Sequence, residues 1–136
     1  MTEEFGFEVK LENSYDDAVK AVTQALKTEG FGVLTEIDVK DTLKKKLDED
    51  FRPYVILGAC NPPLAHQALS AAPEVGMLLP CNVTVEAAED GGSLIRIINP
   101  KMMMGMGSFA NNPALMKVAD QAYEKLARVA DALAAK

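Results

Sequence analysis

CNVTVEAAEDGGSLIRII, residues 81–98, decides the fold, because two runs of alternating apolar and polar residues flank a glycine-bearing turn and so predict an antiparallel hairpin. Cys81, Val83, Val85 and Ala87 fall on one side of the first run. Ile95 and Ile97 face inward on the second, and Arg96 marks its outward face. A one-residue slip would turn every side chain over, so positions that pair must sum to an even number. The pattern predicts a loop of Asp90, Gly91 and Gly92, with Gly92 left-handed and Glu86 opposite Arg96.

Upstream, YVILGAC, residues 54–60, is apolar at nearly every position and reads as the central strand, covered on both faces. FGFEVKL, residues 5–11, alternates as a half-buried strand. Phe31, Val33, Thr35 and Ile37 alternate as a second strand, antiparallel or adjacent to the first, with their polar neighbours in water. Helices are predicted from Ser14 to a left-handed cap at Gly30, over about 39–49 behind Asp38, over 62–72 between Asn61-Pro62 and Pro73, and from Asn112-Pro113 to the chain end. In the last of these, Leu115, Ala119, Ala122, Leu126, Val129 and Leu133 follow a four-three spacing. Too few heptads and two alanines favour packing on the sheet over a coiled-coil seam. PKMMMGMGSF, residues 100–109, reads as an apolar loop broken by glycines. With no repeat or linker, residues 1–136 are expected to form a single α+β domain, a mainly antiparallel five-stranded sheet with helices on one face.

Composition narrows the partners. Fourteen Lys and Arg against twenty Asp and Glu leave a net charge of −6, which repels nucleic acid and anionic membrane surfaces. No run approaches the roughly 18 apolar residues of a membrane span, and the acidic start MTEEFGFEVK is unlike a secretory signal. A cytoplasmic location is the expectation. Two cysteines are too few for a disulfide scaffold.

Phosphate-loop, dinucleotide, nucleophile-elbow and CxxC motifs are missing, and the acids are too dispersed to single out a catalytic pair. What stands out is Cys60 and Cys81, each followed by asparagine, in ACNP and PCNV. If their strands pair antiparallel, both thiols lie at one end of the sheet. Cys60 also precedes a helix start, where unsatisfied N–H groups would favour a thiolate. His66 lies in the second turn of that helix, and spacing does not decide whether it faces Cys60. Two Cys and one His fall one donor short of a closed zinc site. Met102, Met103, Met104 and Met106 could ligate a soft metal, adapt to an apolar ligand, or tuck over the core. Free cysteines also serve as small apolar core residues, and that plain reading stands beside the chemical ones.

GACNPPLAHQAL, followed by GMLLPCNVTVE, resembles the bacterial and archaeal family called domain of unknown function 302, and the resemblance extends over roughly residues 5–135. It implies a TATA-box-binding-protein-like order β-α-β(4)-α, with the 39–49 and 62–72 segments as inserted helices, and a homodimer. It implies no activity, and the fold's name does not import DNA binding. The motif positions here are Gly58, Cys60, Asn61, Pro62, Leu79, Pro80, Cys81 and Asn82.

The leading expectation is a protein that binds a small apolar or soft-metal ligand near Cys60 and Cys81. Asn61, His66 and Asn82 stand nearby in sequence, and Met103 and Met104 are expected as cover. The metal, if there is one, would sit on Cys60 and Cys81. The alternatives are a thiol redox protein, in which Cys60 attacks and Cys81 resolves, and an interaction module with structural cysteines.

Overall fold

The computed structural model describes residues 4–135. Met1, Thr2, Glu3 and Lys136, the outermost residues of the expected domain, lie outside them. The chain runs β1 (Gly6–Leu11), α1 (Tyr15–Thr28), β2 (Gly32–Asp38), α2 (Val39–Leu47), β3 (Tyr54–Cys60) and α3 (Pro62–Ala71). After a 3-10 turn at Pro73–Leu78 come β4 (Cys81–Ala87), β5 (Ser93–Ile98), α4 (Pro100–Met104), a second 3-10 turn at Gly107–Asn111, and α5 (Pro113–Ala134). The five strands form one antiparallel sheet in the order β1-β5-β4-β3-β2. None of the helices among the described residues is long and apolar enough to cross a membrane.

Helices α1 and α5 cover one face of the sheet, packing on Val9, Leu11, Val55, Leu57, Val83, Val85, Ile95 and Ile97, all buried. The six residues of the α5 stripe, Leu115 to Leu133, are buried too, so this helix spends its apolar face within the chain. Helix α1 carries the chain across that inner face, so β2 emerges at the opposite edge from β1 rather than beside it. The central strand is β4, not β3. On β3 the inner residues Val55, Leu57 and Ala59 are buried, while Tyr54 and Ile56 on the outer face are only half-buried.

Three Asn-Pro pairs start helices. Asn61, Asn99 and Asn112 each accept a backbone N–H through the side-chain oxygen, from Leu64, Lys101 and Leu115, at 3.3, 2.9 and 3.1 Å. The pair at Asn99-Pro100 turns what reads as a loop into α4, and it buries Met103 and Met104. Helix α1 ends in a Schellman motif, with Gly30 at φ +82° donating to the Lys27 carbonyl and Phe31 donating to that of Leu26.

The hairpin keeps the expected faces but not the expected register. Val85 pairs with Ile95 and Val83 with Ile97, all inward, yet Thr84 stands opposite Arg96 and Glu86 opposite Leu94. The pairing has moved by two residues, the smallest slip that preserves the faces. The ladder closes with the Ala88 N–H on the Gly92 carbonyl, so the loop is Glu89, Asp90 and Gly91, and Gly91 takes the positive φ of +88°. Gly92 serves a different need, since a Cβ there would collide with the Leu11 carbonyl of β1.

Strand β2 carries a second departure. Val33 pairs with Ala59 and Thr35 with Gly58, leaving Leu34 as an extra residue in a bulge. Past the bulge the faces exchange, and Thr35 and Ile37 turn to the outer side, opposite Gly58 and Ile56, instead of sharing a face with Val33.

On the outer face Glu86 is only 7% exposed. Arg52 donates to it at 2.8 Å, and Arg96 reaches it diagonally while also holding Glu8 at 2.9 Å. Burial pushes the Glu86 carboxyl up, but the bonds from Arg96 and Arg52 outweigh this, and the net shift is downward from 4.5. A lowered folded-state value stabilises above the ordinary carboxylate range, and that contribution is lost as pH falls through the folded value. Glu86→Gln is therefore expected to lower stability at pH 7 by about 1–3 kcal/mol. It should also flatten the loss of stability as pH falls below about 4.5, measured by urea denaturation over a series of acidic pH values.

Candidate functional site

A cavity of about 380 Å³ opens at the end of the sheet where β3 stops, β4 starts and β2 begins. Its builders are local. The Schellman cap at Gly30 places Phe31 in the wall, and the β2 bulge puts Leu34 at the mouth, 68% exposed. Helix α3 contributes Leu64, Ala65 and Leu69, the segment leading into β4 contributes Leu79 and Pro80, and α4 and α5 contribute Met104, Val118 and Ala122. Among the described residues, no charged side chain lines the cavity.

Cys60 and Cys81 both line this cavity, as their strand ends suggest. Cys81 pairs with no cysteine but with Ala59, which places it on the inner face, and alternation then turns Cys60 to the outer face. The thiols thus leave the sheet in opposite directions around the end of β3. A disulfide needs convergent Cβ vectors, so this arrangement does not suit the pairing of attacking and resolving thiols. Both cysteines are free, Cys60 half-buried and Cys81 buried. Burial pushes the Cys81 thiol up to about 11, with a smaller contribution from the neighbouring Cys60.

The helix start after Cys60 is not the anion site that its position suggests. Pro62 and Pro63 have no N–H to offer, and the Leu64 N–H is already taken by the Asn61 side chain. Asn61 itself lines the cavity, but its amide is engaged at both ends, since Nδ2 donates to the Glu29 carbonyl at 3.2 Å. It holds α3 to the end of α1.

The remaining candidates separate. His66 lies on another side of α3, in a shallow depression shared with Ala114 and Lys117, away from the thiols. Asn82 is exposed on the outer face opposite Gly58. Met103 is buried in the core without reaching the cavity, whereas Met104 forms part of its wall and is a fixed side chain of α4 rather than a loose cover. Among the described residues no group of three or more His, Cys, Asp or Glu is placed to hold a metal ion. Sequence reasoning missed Phe31, Leu34, Thr35 and Leu64. Only Gly30, which fixes the chain direction into Phe31, signalled any of them.

At pH 8 a thiol with a value near 11 is thiolate in about one molecule per thousand. Native protein is accordingly expected to take up iodoacetamide at Cys60 about tenfold faster or more than at Cys81. Cys81 should react fully only in denaturant, as read by peptide mapping over time. Equal native rates would mean that the inner wall opens readily.

The family described as "Domain of unknown function DUF302" matches residues 7–133. The chain is also similar, at 34% identity, to the uncharacterized conserved protein DUF302 from Bacillus stearothermophilus, known from a crystal structure. That likeness covers 95% of this chain and 98% of the other, with a TM-score of 0.83. No curated protein matches the chain. The sheet and its helices thus share the fold of a relative of known structure, and the protein belongs to the DUF302 family.

Proposed function

We propose that the protein binds an uncharged, largely apolar small molecule in the cavity at the end of the sheet. The observation that carries this reading is the composition of the wall. The cavity's volume falls within the range of about 300–1,000 Å³ usual for small-molecule pockets, and none of the described residues that line it is charged. The Asn61 amide is already satisfied by the backbone, so little polarity is left to greet a ligand. Exposed Leu34 and Leu69 at the mouth leave apolar surface in water that a ligand would cover.

An apolar organic ligand suits this wall better than a soft cation. Two thiolates around one monovalent cation leave a net negative charge, and among the described residues no positive side chain lines the cavity to balance it. Deprotonating buried Cys81 adds a further cost.

A neutral solvatochromic dye should bind the protein and be displaced by uncharged apolar molecules, but not by carboxylates of similar shape. Ala65→Trp, filling the cavity from its half-buried rim, is expected to weaken the dye about tenfold or more, an effect of about 1.4 kcal/mol, with the melting temperature little changed. Unaltered dye affinity in that variant would overturn the assignment to this cavity. Native mass spectrometry showing copper that disappears in Cys60→Ser would support the soft cation instead.

A further inference from the structure

Within the cavity, the outer wall carries two groups that the binding reading leaves unused. Thr35 stands opposite Gly58, and Cys60 lies two residues beyond Gly58 on the same face of β3. The Thr35 hydroxyl leans over Gly58 so closely that a Cβ there would collide with it and with Pro80. Among the described residues that hydroxyl makes no hydrogen bond. Two residues of strand advance the chain by about 6.6 Å. This is close to the reach of a carbon–sulfur bond, a conjugated carbonyl and a hydrogen bond in series. On the inner wall Cys81, 5% exposed, likewise has no hydrogen-bond partner among the described residues.

We propose that Cys60 captures uncharged apolar α,β-unsaturated carbonyl compounds bound in the cavity, with the Thr35 hydroxyl donating to their carbonyl oxygen. This rests on the cavity being a binding site for apolar molecules, and it names their class. The Cys60 thiol releases its proton to water, and the sulfur electron pair forms a bond to the β-carbon. The carbon–carbon π pair moves toward the carbonyl, giving an enolate whose oxygen accepts from Thr35. The α-carbon then takes a proton from water. The balance is addition of S–H across the double bond, with no oxidant and no leaving group. Pro62 and Pro63 have no N–H and the Leu64 N–H is taken by the Asn61 side chain, so the rate advantage comes from holding the enone against the sulfur rather than from the helix start. Gly58 lets the Thr35 hydroxyl sit close against β3 on the side of Cys60, and the uncharged wall formed by the described residues excludes carboxylate analogues.

The test compares oct-1-en-3-one with methyl vinyl ketone on the full-length protein, with N-acetylcysteine as the reference thiol. Intact mass and peptide mapping follow the adduct, and displacement of the neutral dye by octan-3-one, which cannot react, is measured in parallel. The expected result is one adduct per chain on Cys60. The preference for the longer enone should exceed that of N-acetylcysteine at least tenfold and fade in Ala65→Trp. Thr35→Val should lower the limiting rate several-fold with little change in half-saturation, and Thr35→Ser should restore it. Adducts forming first on Cys81, no preference for chain length, or a Thr35→Val protein that reacts like the parent would each overturn the proposal. If octan-3-one displaces the dye while no such preference appears, only the capture fails. If octan-3-one fails to displace it, the binding reading fails as well.

Discussion

Val83 and Val85 pair with Leu57 and Val55 on one side and with Ile97 and Ile95 on the other, and α1 and α5 cover the layer they form. A shift of β4 by one residue would bring Asn82, Thr84 and Glu86 into that layer and send Cys81, Val83 and Val85 to the opposite side. Glu86 enforces the same choice from outside, because its carboxylate meets Arg96 and Arg52 only while it stays on the outer face. The position of Cys81 opposite Ala59, and with it the inner wall of the cavity, follows from this one register.

Much of this could be read from the residues. The period-two runs reveal their faces directly, and Ser14, Gly30, Asp38, Asn61 and Asn112 mark helix ends through local bonds that the chain carries with it. What escaped depends on contacts between distant segments. Parity admits several hairpin registers that differ by two residues, and the residues of the hairpin alone do not choose among them. The bulge at Leu34 has no signature in its own residues, and it arises where β2 meets β3. The helix at Asn99-Pro100 was legible from the same dipeptide that starts α3 and α5, but the run of methionines and glycines behind it obscured the signal.

The site shows the same division. That both cysteines reach one end of the sheet follows from strand direction alone, whereas their departure from opposite faces depends on Cys81 standing across from Ala59 rather than Cys60. The polar groups nearest the thiols are largely consumed by architecture. Asn61 ties α3 to α1, and two prolines remove the donors that a helix start usually offers. A segment that resembles an anion-binding helix end in sequence is in the folded protein a neutral wall.

The extra residue at Leu34 also bears on how molecules of this protein behave toward one another. Strand β2 is an edge, and an unbroken edge presents a row of free N–H and C=O groups on which the strand of another chain can add. The bulge interrupts that row after Val33, and Glu36 and Asp38 add negative charge along the remainder. Sheet growth across this border is thereby discouraged by backbone irregularity and charge together, although Leu34 and Ile37 expose apolar surface there. The device that opens the cavity mouth thus doubles as a guard against edge-to-edge aggregation.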